Sequence, residues 1–339
     1  MSKNWFKGKH GPLLIAEIGG NHEGNFAYAK KLTQLAIDCD VDFIKFQIYT
    51  GDRLVSRVEN PARNAHFKKF ELSREQHREL AQMVQAAGIH YTSSVWDLDA
   101  MDWIDKYIPV YKIGSGDLTA YPILAATAQR NKPMIISTGL ATEEEVVAAV
   151  EYVQQVNPIY RQKEMLAVLQ CTSMYPIPAS EANLSVMQRY RELTGLTIGY
   201  SDHTIGSKAL AYAVAMGAEI LEFHFTDTRE NQTFRDHLVS LTPDEVKELI
   251  AEIQLIKTLQ GSATKQPTPS ELATDHVTSF RRAVYPVRDI AAGEVLTADV
   301  LTVLRPLHGI DAREYEKVVG KTAKVDLKAQ QQLNWKDLK

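Results

Sequence analysis

Met134-Ile-Ile-Ser-Thr-Gly139, then Thr142-Glu-Glu-Glu-Val-Val-Ala-Ala-Val-Glu-Tyr-Val-Gln-Gln155, then Leu166-Ala-Val-Leu-Gln-Cys-Thr-Ser173 form a short apolar run, a segment of helical periodicity and a second apolar run. Runs this short and continuous suit strands buried on both faces. The segment between them opens on a hydroxyl residue suited to an N-cap, followed by three glutamates that complement a helix N-terminus. The unit predicts strand, helix and parallel strand.

The same alternation extends from residue 13 to about residue 260. The other runs are Leu13–Gly19, Phe43–Tyr49, His90–Trp96, Val110–Gly116, Thr197–His203 and Glu219–Phe225, which brings the total to eight. Helix candidates between them include Ala27–Asp40, Arg74–Ala87 with Ser73 as N-cap, and Ser207–Met216, with Pro243–Leu259 closing the series. Eight such units in about 250 residues predict an α/β fold closed as a (β/α)8 TIM barrel rather than an open sheet. No repeat with a period of about 20 to 50 residues accompanies it.

The barrel is predicted over residues 1–260. Gln260–Pro269 is polar with two prolines, so residues 261–279 read as a semi-extended linker. From 280 to 339 the β-like runs Ala283–Val287, Val300–Leu304 and Lys321–Val325 predict a small β-rich domain, too small to be stable without docking support.

Composition narrows the function classes. The 339 residues are 45% hydrophobic and 24% charged, within the globular range, and a formal net charge of −4 argues against a nucleic-acid surface. Two cysteines, Cys39 and Cys171, imply no disulfide framework. Met1–His10 lacks a signal peptide's apolar stretch and no segment approaches about 18 apolar residues, so a cytoplasmic protein without a membrane partner is expected.

In such barrels the chemistry sits at the C-terminal strand ends. Here those ends carry Glu17, Asn21 and His22; Lys45 and Gln47; Ser93, Ser94 and Asp97; Lys112, Ser115 and Asp117; Ser137 and Thr138; Thr172, Ser173 and Tyr175; Ser201, Asp202 and His203; and Glu222, His224 and Thr226. Any one could be a satisfied structural group, but so many charges in one layer need partners. Lys45 and Lys112, with Ser115 and Ser137, suit a phosphate or carboxylate; internal salt bridges to Glu17 or Glu222 are the structural alternative. His203 and His224 suit a labile divalent ion with open coordination positions, Mn²⁺ or Mg²⁺ rather than a closed structural zinc. The other histidines, His66 among them, read as surface or packing residues, with His22 and His237 placed in loops that could line the mouth.

Read in order, Ala16-Glu-Ile-Gly-Gly-Asn-His-Glu-Gly24, Lys45-Phe-Gln47, Lys112-Ile-Gly-Ser-Gly-Asp-Leu118, Ser137-Thr-Gly-Leu140, Cys171-Thr-Ser-Met-Tyr-Pro176, Ser201-Asp-His203 and Glu222-Phe-His-Phe-Thr226 resemble the sialic acid (nonulosonic acid) synthase family. The tail from Phe280-Arg-Arg-Ala-Val resembles that family's antifreeze-like SAF domain. The resemblance implies condensation of phosphoenolpyruvate with an N-acylated amino-sugar aldehyde, giving a nine-carbon keto acid and phosphate by C–O cleavage. It implies a divalent metal on His203 and His224, Mn²⁺ preferred with Mg²⁺ or Co²⁺ as alternatives. Lys45, Lys112, Ser115, Ser137 and Ser201 would contact phosphoenolpyruvate; Gln47, Tyr175 and Asp236 would face the sugar; Glu17, Glu222 and Tyr175 would form the catalytic set. Arg305, in Arg305-Pro-Leu-His-Gly-Ile310, would reach the sugar from the SAF domain of a partner subunit in a domain-swapped homodimer.

The chain departs from many relatives at Leu307-His308, at Ser94-Val-Trp-Asp97, at Phe223 and at Ser173, all expected near sugar or lid contacts, which leaves the acceptor sugar open. The Glu-Ile-Gly opening and Lys-Phe-Gln are closer to the neuraminic and legionaminic branches than to the pseudaminic branch. A 3-deoxy-sugar-acid synthase and a non-catalytic carbohydrate-binding protein are the competing expectations.

Overall fold

The computed structural model describes residues 4–339, so Met1 to Lys3 of the N-terminal stretch lie outside the described residues. The chain divides into two compact units, the first ending at Gly261 and the second spanning Ser262–Lys339. None of the described helices is long and apolar enough to cross a membrane.

A two-residue strand β1 (Lys7–Gly8) pairs antiparallel with β2 (Gly11–Glu17). Seven further strands follow: β3 (Phe43–Ile48), β4 (His90–Val95), β5 (Tyr111–Ile113), β6 (Met134–Ser137), β7 (Leu166–Cys171), β8 (Thr197–Asp202) and β9 (Ile220–His224). From β2 to β9 each strand is parallel to the next, and β9 returns to β2 with Glu17 opposite His224. The sheet is a closed eight-stranded TIM barrel, as the count of apolar runs predicts. The runs overshoot the strands' C-terminal ends by one to three residues, because their last residues already belong to loops.

Two-residue alternation sorts the side chains. Leu14, Ile44, Phe46, Tyr91, Val168 and Phe223 point outward, joining helix residues such as Leu32, Leu80, Val146 and Ile253 in the main core. Leu13, Ile15, Phe43, Val110, Ile135, Leu169 and Ile220 point inward and fill the barrel floor, closed below by Phe6 and Trp5. The next inward positions are Glu17, Lys45, Lys112, Ser137, Cys171, Ser201 and Glu222. Polarity thus begins where the apolar floor ends.

Capping fixes the helices. Ser73 and Thr142 each close a reciprocal capping box, with Gln76 and Glu145, on helices Arg74–Ala86 and Glu143–Val156. Val146, Ala149, Val150 and Val153 form the buried stripe of the latter, each valine contributing roughly 1.5–3 kcal/mol by burial.

In the second unit β10 (Ala283–Pro286) pairs antiparallel with β11 (Leu301–Leu304) over a core that includes Val284, Ile290, Leu296, Ile310 and Leu333. Two expectations are corrected. Lys321–Val325 forms only isolated bridges, Val295 with Thr322 and Ala323 with Leu338, because its partners come from different segments and no ladder builds. The stretch 261–279 is not extended throughout: Pro269–Ala273, capped by Thr268 and Glu271, and His276–Phe280 are short helices.

Candidate active site

A cavity of about 1110 Å³ opens at the C-terminal ends of the strands. Of the barrel residues singled out from the sequence, Glu17, Lys45, Gln47, Ser94, Lys112, Ser115, Asp117, Ser137, Ser173, Tyr175, Ser201, His203, Glu222, His224 and Asp236 line it, whereas Asn21, Ser93, Asp97, Thr138, Thr172, Asp202 and Thr226 do not.

On one side Lys45 Nζ donates to Glu17 Oε2 at 2.6 Å, and Gln47 Nε2 donates to Glu17 Oε1 at 2.9 Å. On the other, Lys112 Nζ donates to Ser137 Oγ at 2.6 Å and stands 3.4 Å from Glu222 Oε1, which also accepts from Ser201 Oγ at 3.1 Å. The salt-bridge alternative is therefore present, and the four charges balance. Burial works against the Lys45 ammonium, but Glu17 and Glu222 outweigh it and hold its pKa above the ordinary range. Lys112 is pulled below the ordinary range by burial, with Glu222 opposing and Lys45 adding to the shift. Burial disfavours the Glu222 carboxylate, yet Lys112 and Lys45 prevail and lower its pKa. Lys112 is the less satisfied cation, so an incoming anion gains most there. Glu222 Oε2 and Ser94 Oγ, on residues that line the cavity, are buried without a hydrogen-bond partner.

Above this layer His203 and His224 stand with ring centres 5.3 Å apart, and Tyr175 packs on His203 at 4.0 Å. His203 lies one residue beyond β8; its Nδ1 lies 2.7 Å from Thr172 O, an acceptor only, so the proton sits on Nδ1 and Nε2 keeps a lone pair. His224 Nδ1 is buried without a hydrogen-bond partner, 4.0 Å from Asp236 Oδ2. Burial lowers both imidazole pKa values, that of His224 far below the ordinary range, so both rings are neutral and suited to ligation. Among the described residues no group of three or more His, Cys, Asp and Glu is placed to hold an ion. Asp236 is pushed up to about 6 by burial, with Arg235 opposing.

Some expectations need correction. His22 and His237 do not line the cavity: His22 Nδ1 accepts from Gly24 N at 3.0 Å, and His237 Nδ1 sits 2.7 Å from Thr226 Oγ1. His66 is an exposed residue packed on Phe70, as the sequence predicts, and it also lines the cavity. Phe223 points outward into the main core and is 1% exposed, so that departure makes no sugar contact. Arg305 belongs to the second unit, where its guanidinium lies 4.9 Å from the Phe280 ring centre.

The sequence reading also missed helix Pro61–Phe70 and the cavity residues Arg63, Phe67 and Phe70 that it carries. A signal was available, since the connection across residues 49–73 far exceeds the roughly 2–6 residues usual between a strand and its helix.

Residues 32–265 match the model of the NeuB family, and residues 281–339 that of the SAF domain. The chain is 34% identical over 324 residues to the N,N'-diacetyllegionaminic acid synthase of Campylobacter jejuni, covering 92% of this chain and 95% of that protein. To the N-acetylneuraminate-9-phosphate synthase of Mus musculus it is 35% identical over 314 residues, covering 88% and 84% respectively. The crystal structure of N-acetylneuraminic acid (sialic acid) synthetase from Leptospira borgpetersenii, in complex with citrate, superposes with a TM-score of 0.71 at 29% identity, covering 78% of this chain and 90% of that one.

Proposed function

The chain belongs to the NeuB family, and from that membership and the site geometry we propose that it is a nonulosonic acid synthase, a transferase that condenses phosphoenolpyruvate with an N-acylated amino-sugar aldehyde. The observation that carries this proposal is the buried layer in which Lys45 and Lys112 are matched to Glu17 and Glu222 beneath two neutral imidazoles.

Lys45 and Lys112 hold the carboxylate and phosphate of phosphoenolpyruvate as point charges, and Ser115, Ser137 and Ser201 add hydroxyl donors. Gln47, Tyr175 and Asp236 orient the sugar. His203 and His224 fit a divalent ion, Mn²⁺ preferred with Mg²⁺ or Co²⁺ as alternatives, because His203 Nε2 keeps its lone pair and His224 Nδ1 is unpartnered. When bound, such an ion supplies Lewis-acid polarisation of the aldehyde oxygen.

C3 of phosphoenolpyruvate bonds to the aldehyde carbon, whose oxygen takes up a proton. The cation that develops at C2 is stabilised by Glu17 and Glu222. Water bonds to C2 and loses a proton to a carboxylate, for which the unpartnered Glu222 Oε2 is available. The C2 hydroxyl of the tetrahedral intermediate then gives its proton to the departing phosphate as the C2–O bond to phosphate breaks, leaving the keto acid.

The proposal extends to a domain-swapped homodimer in which Arg305 serves the partner's sugar site. Sedimentation of the intact chain, with Arg305→Ala compared for sugar KM, tests that part.

The direct experiment is phosphate release from phosphoenolpyruvate with N-acetylmannosamine, its 6-phosphate and 2,4-diacetamido-6-deoxyhexoses, each with Mn²⁺ and with EDTA. Metal-dependent release with one of these sugars is expected; none with any of them overturns the proposal. ¹⁸O placed in the bridging position should leave with phosphate. Label retained in the keto acid overturns C–O cleavage.

A further inference from the structure

One wall of the cavity is built of rings. Tyr49, Phe67 and Trp96 form one cluster, with Tyr49 5.2 Å from Phe67 and stacked on Trp96 at 5.4 Å. His66, Phe70 and Phe234 form a second, with centroid separations of 4.4 Å for His66 to Phe70 and 4.9 Å for Phe70 to Phe234. All six line the cavity, and the two clusters meet where His66 and Phe67 approach at 5.7 Å.

The wall is held in place. Asn60 caps helix Pro61–Phe70 by accepting from Arg63 N at 3.1 Å. Asn64, itself buried, donates to Gly51 O at 3.0 Å and Val55 O at 2.8 Å, pinning the helix to the segment that follows β3. A surface prepared in this way presents flat apolar faces at low entropic cost.

Charge decides what the wall accepts. Its rim carries Arg63 and Glu59, of opposite sign, and Arg235 is engaged with Asp236 at 3.4 Å and with the Tyr175 ring. The two lysines of the floor are already matched to carboxylates and serve phosphoenolpyruvate. A dianionic substituent against this wall would be desolvated over ring faces without a surplus of cations, whereas methyl and acetamido groups would bury apolar area there.

Resting on the synthase function proposed above, we propose that this wall selects the distal end of the acceptor, favouring a 6-deoxy sugar with a second acylamino group over an N-acetylhexosamine 6-phosphate. One methyl group in such a pocket changes kcat/KM by about tenfold or more.

The test compares kcat/KM for the diacetamido-6-deoxy sugar, N-acetylmannosamine and its 6-phosphate in the full chain and in Phe67→Ala and Phe67→Leu. The wild type should prefer the diacetamido sugar; Phe67→Ala should raise the KM for that sugar about tenfold, with KM for phosphoenolpyruvate little changed, and Phe67→Leu should restore part of it. Preference of the wild type for the 6-phosphate, or an equal loss for every acceptor in Phe67→Ala, overturns the selection while leaving the synthase function standing. Absence of phosphate release with all three sugars overturns the synthase function itself. The wall is then judged by binding alone: quenching of tryptophan fluorescence by the diacetamido sugar, lost in Trp96→Phe, supports it, and no quenching overturns it.

Discussion

Lys45 Nζ lies 2.6 Å from Glu17 Oε2 across adjacent, in-register strands, with both side chains at most 5% exposed. Two opposite charges so deeply buried depend on each other, and removing one leaves the other uncompensated. Lys45→Met should lower stability by about 3–5 kcal/mol in urea unfolding. Glu17→Gln combined with Lys45→Met should recover much of that loss while phosphoenolpyruvate binding stays absent. If the double variant proved no more stable than the single one, the pair would not be the stabilising unit.

The two-histidine site makes a claim that can be read without turnover. Mn²⁺ titrated into the protein should lose its free-ion electron paramagnetic resonance signal at one site per chain. Either His203→Asn or His224→Asn should weaken that binding at least tenfold, since the proposed site draws on both imidazoles. Undiminished Mn²⁺ binding in both variants would place the ion elsewhere.

The strand ends were legible because a charged residue inside an apolar run is conspicuous. Lys45 and Gln47 follow Phe43, and Glu222 and His224 follow Ile220, in steps of two, so inward direction could be read as well as position. The same period shows Phe223 pointing away, a signal that the expected sugar contact there overlooked. The length of the connection signalled an inserted element, but helix Pro61–Phe70 itself could not be read by periodicity: it has no apolar stripe, and buries only Asn64 and Phe70. Its pose depends on the hydrogen bonds of Asn64 to Gly51 and Val55, which no local pattern encodes. For His22 and His237, loop position alone could not distinguish the cavity from the packing behind it.

Acid should destabilise the barrel through a histidine remote from the cavity. His77 is 1% exposed on helix Arg74–Ala86, its Nδ1 3.1 Å from Tyr91 OH, and burial lowers its pKa to about 3. Below pH 6.5 the unfolded chain takes up a proton that the folded chain refuses until about pH 3. The stabilisation is therefore complete above 6.5 and is lost as pH falls from there through about 3. His22, lowered by burial to about 4, acts in the same direction. Urea midpoints measured from pH 7 to 4 should fall, and His77→Gln should flatten that fall; an unchanged slope would remove His77 from the account.

A last prediction concerns Gly139, the second residue of the loop that begins after Ser137. Its N–H donates to Ser115 Oγ at 3.0 Å, and a Cβ added there would stand 2.8 Å from that oxygen and 2.9 Å from Ser173 Cβ. Gly139→Ala must therefore displace the Ser115 hydroxyl, Ser173, or both. Overpacking of this kind costs about 1–3 kcal/mol, and the displaced hydroxyl should raise the KM for phosphoenolpyruvate by about tenfold or more. Because Ser115 and Ser137 flank Lys112, the sugar KM should move less. Ser115→Ala removes the closer of the two clashing atoms, so the added alanine should cost less stability in that background than in the wild type. A Gly139→Ala variant whose phosphoenolpyruvate KM is unchanged would show that Ser115 does not hold this substrate.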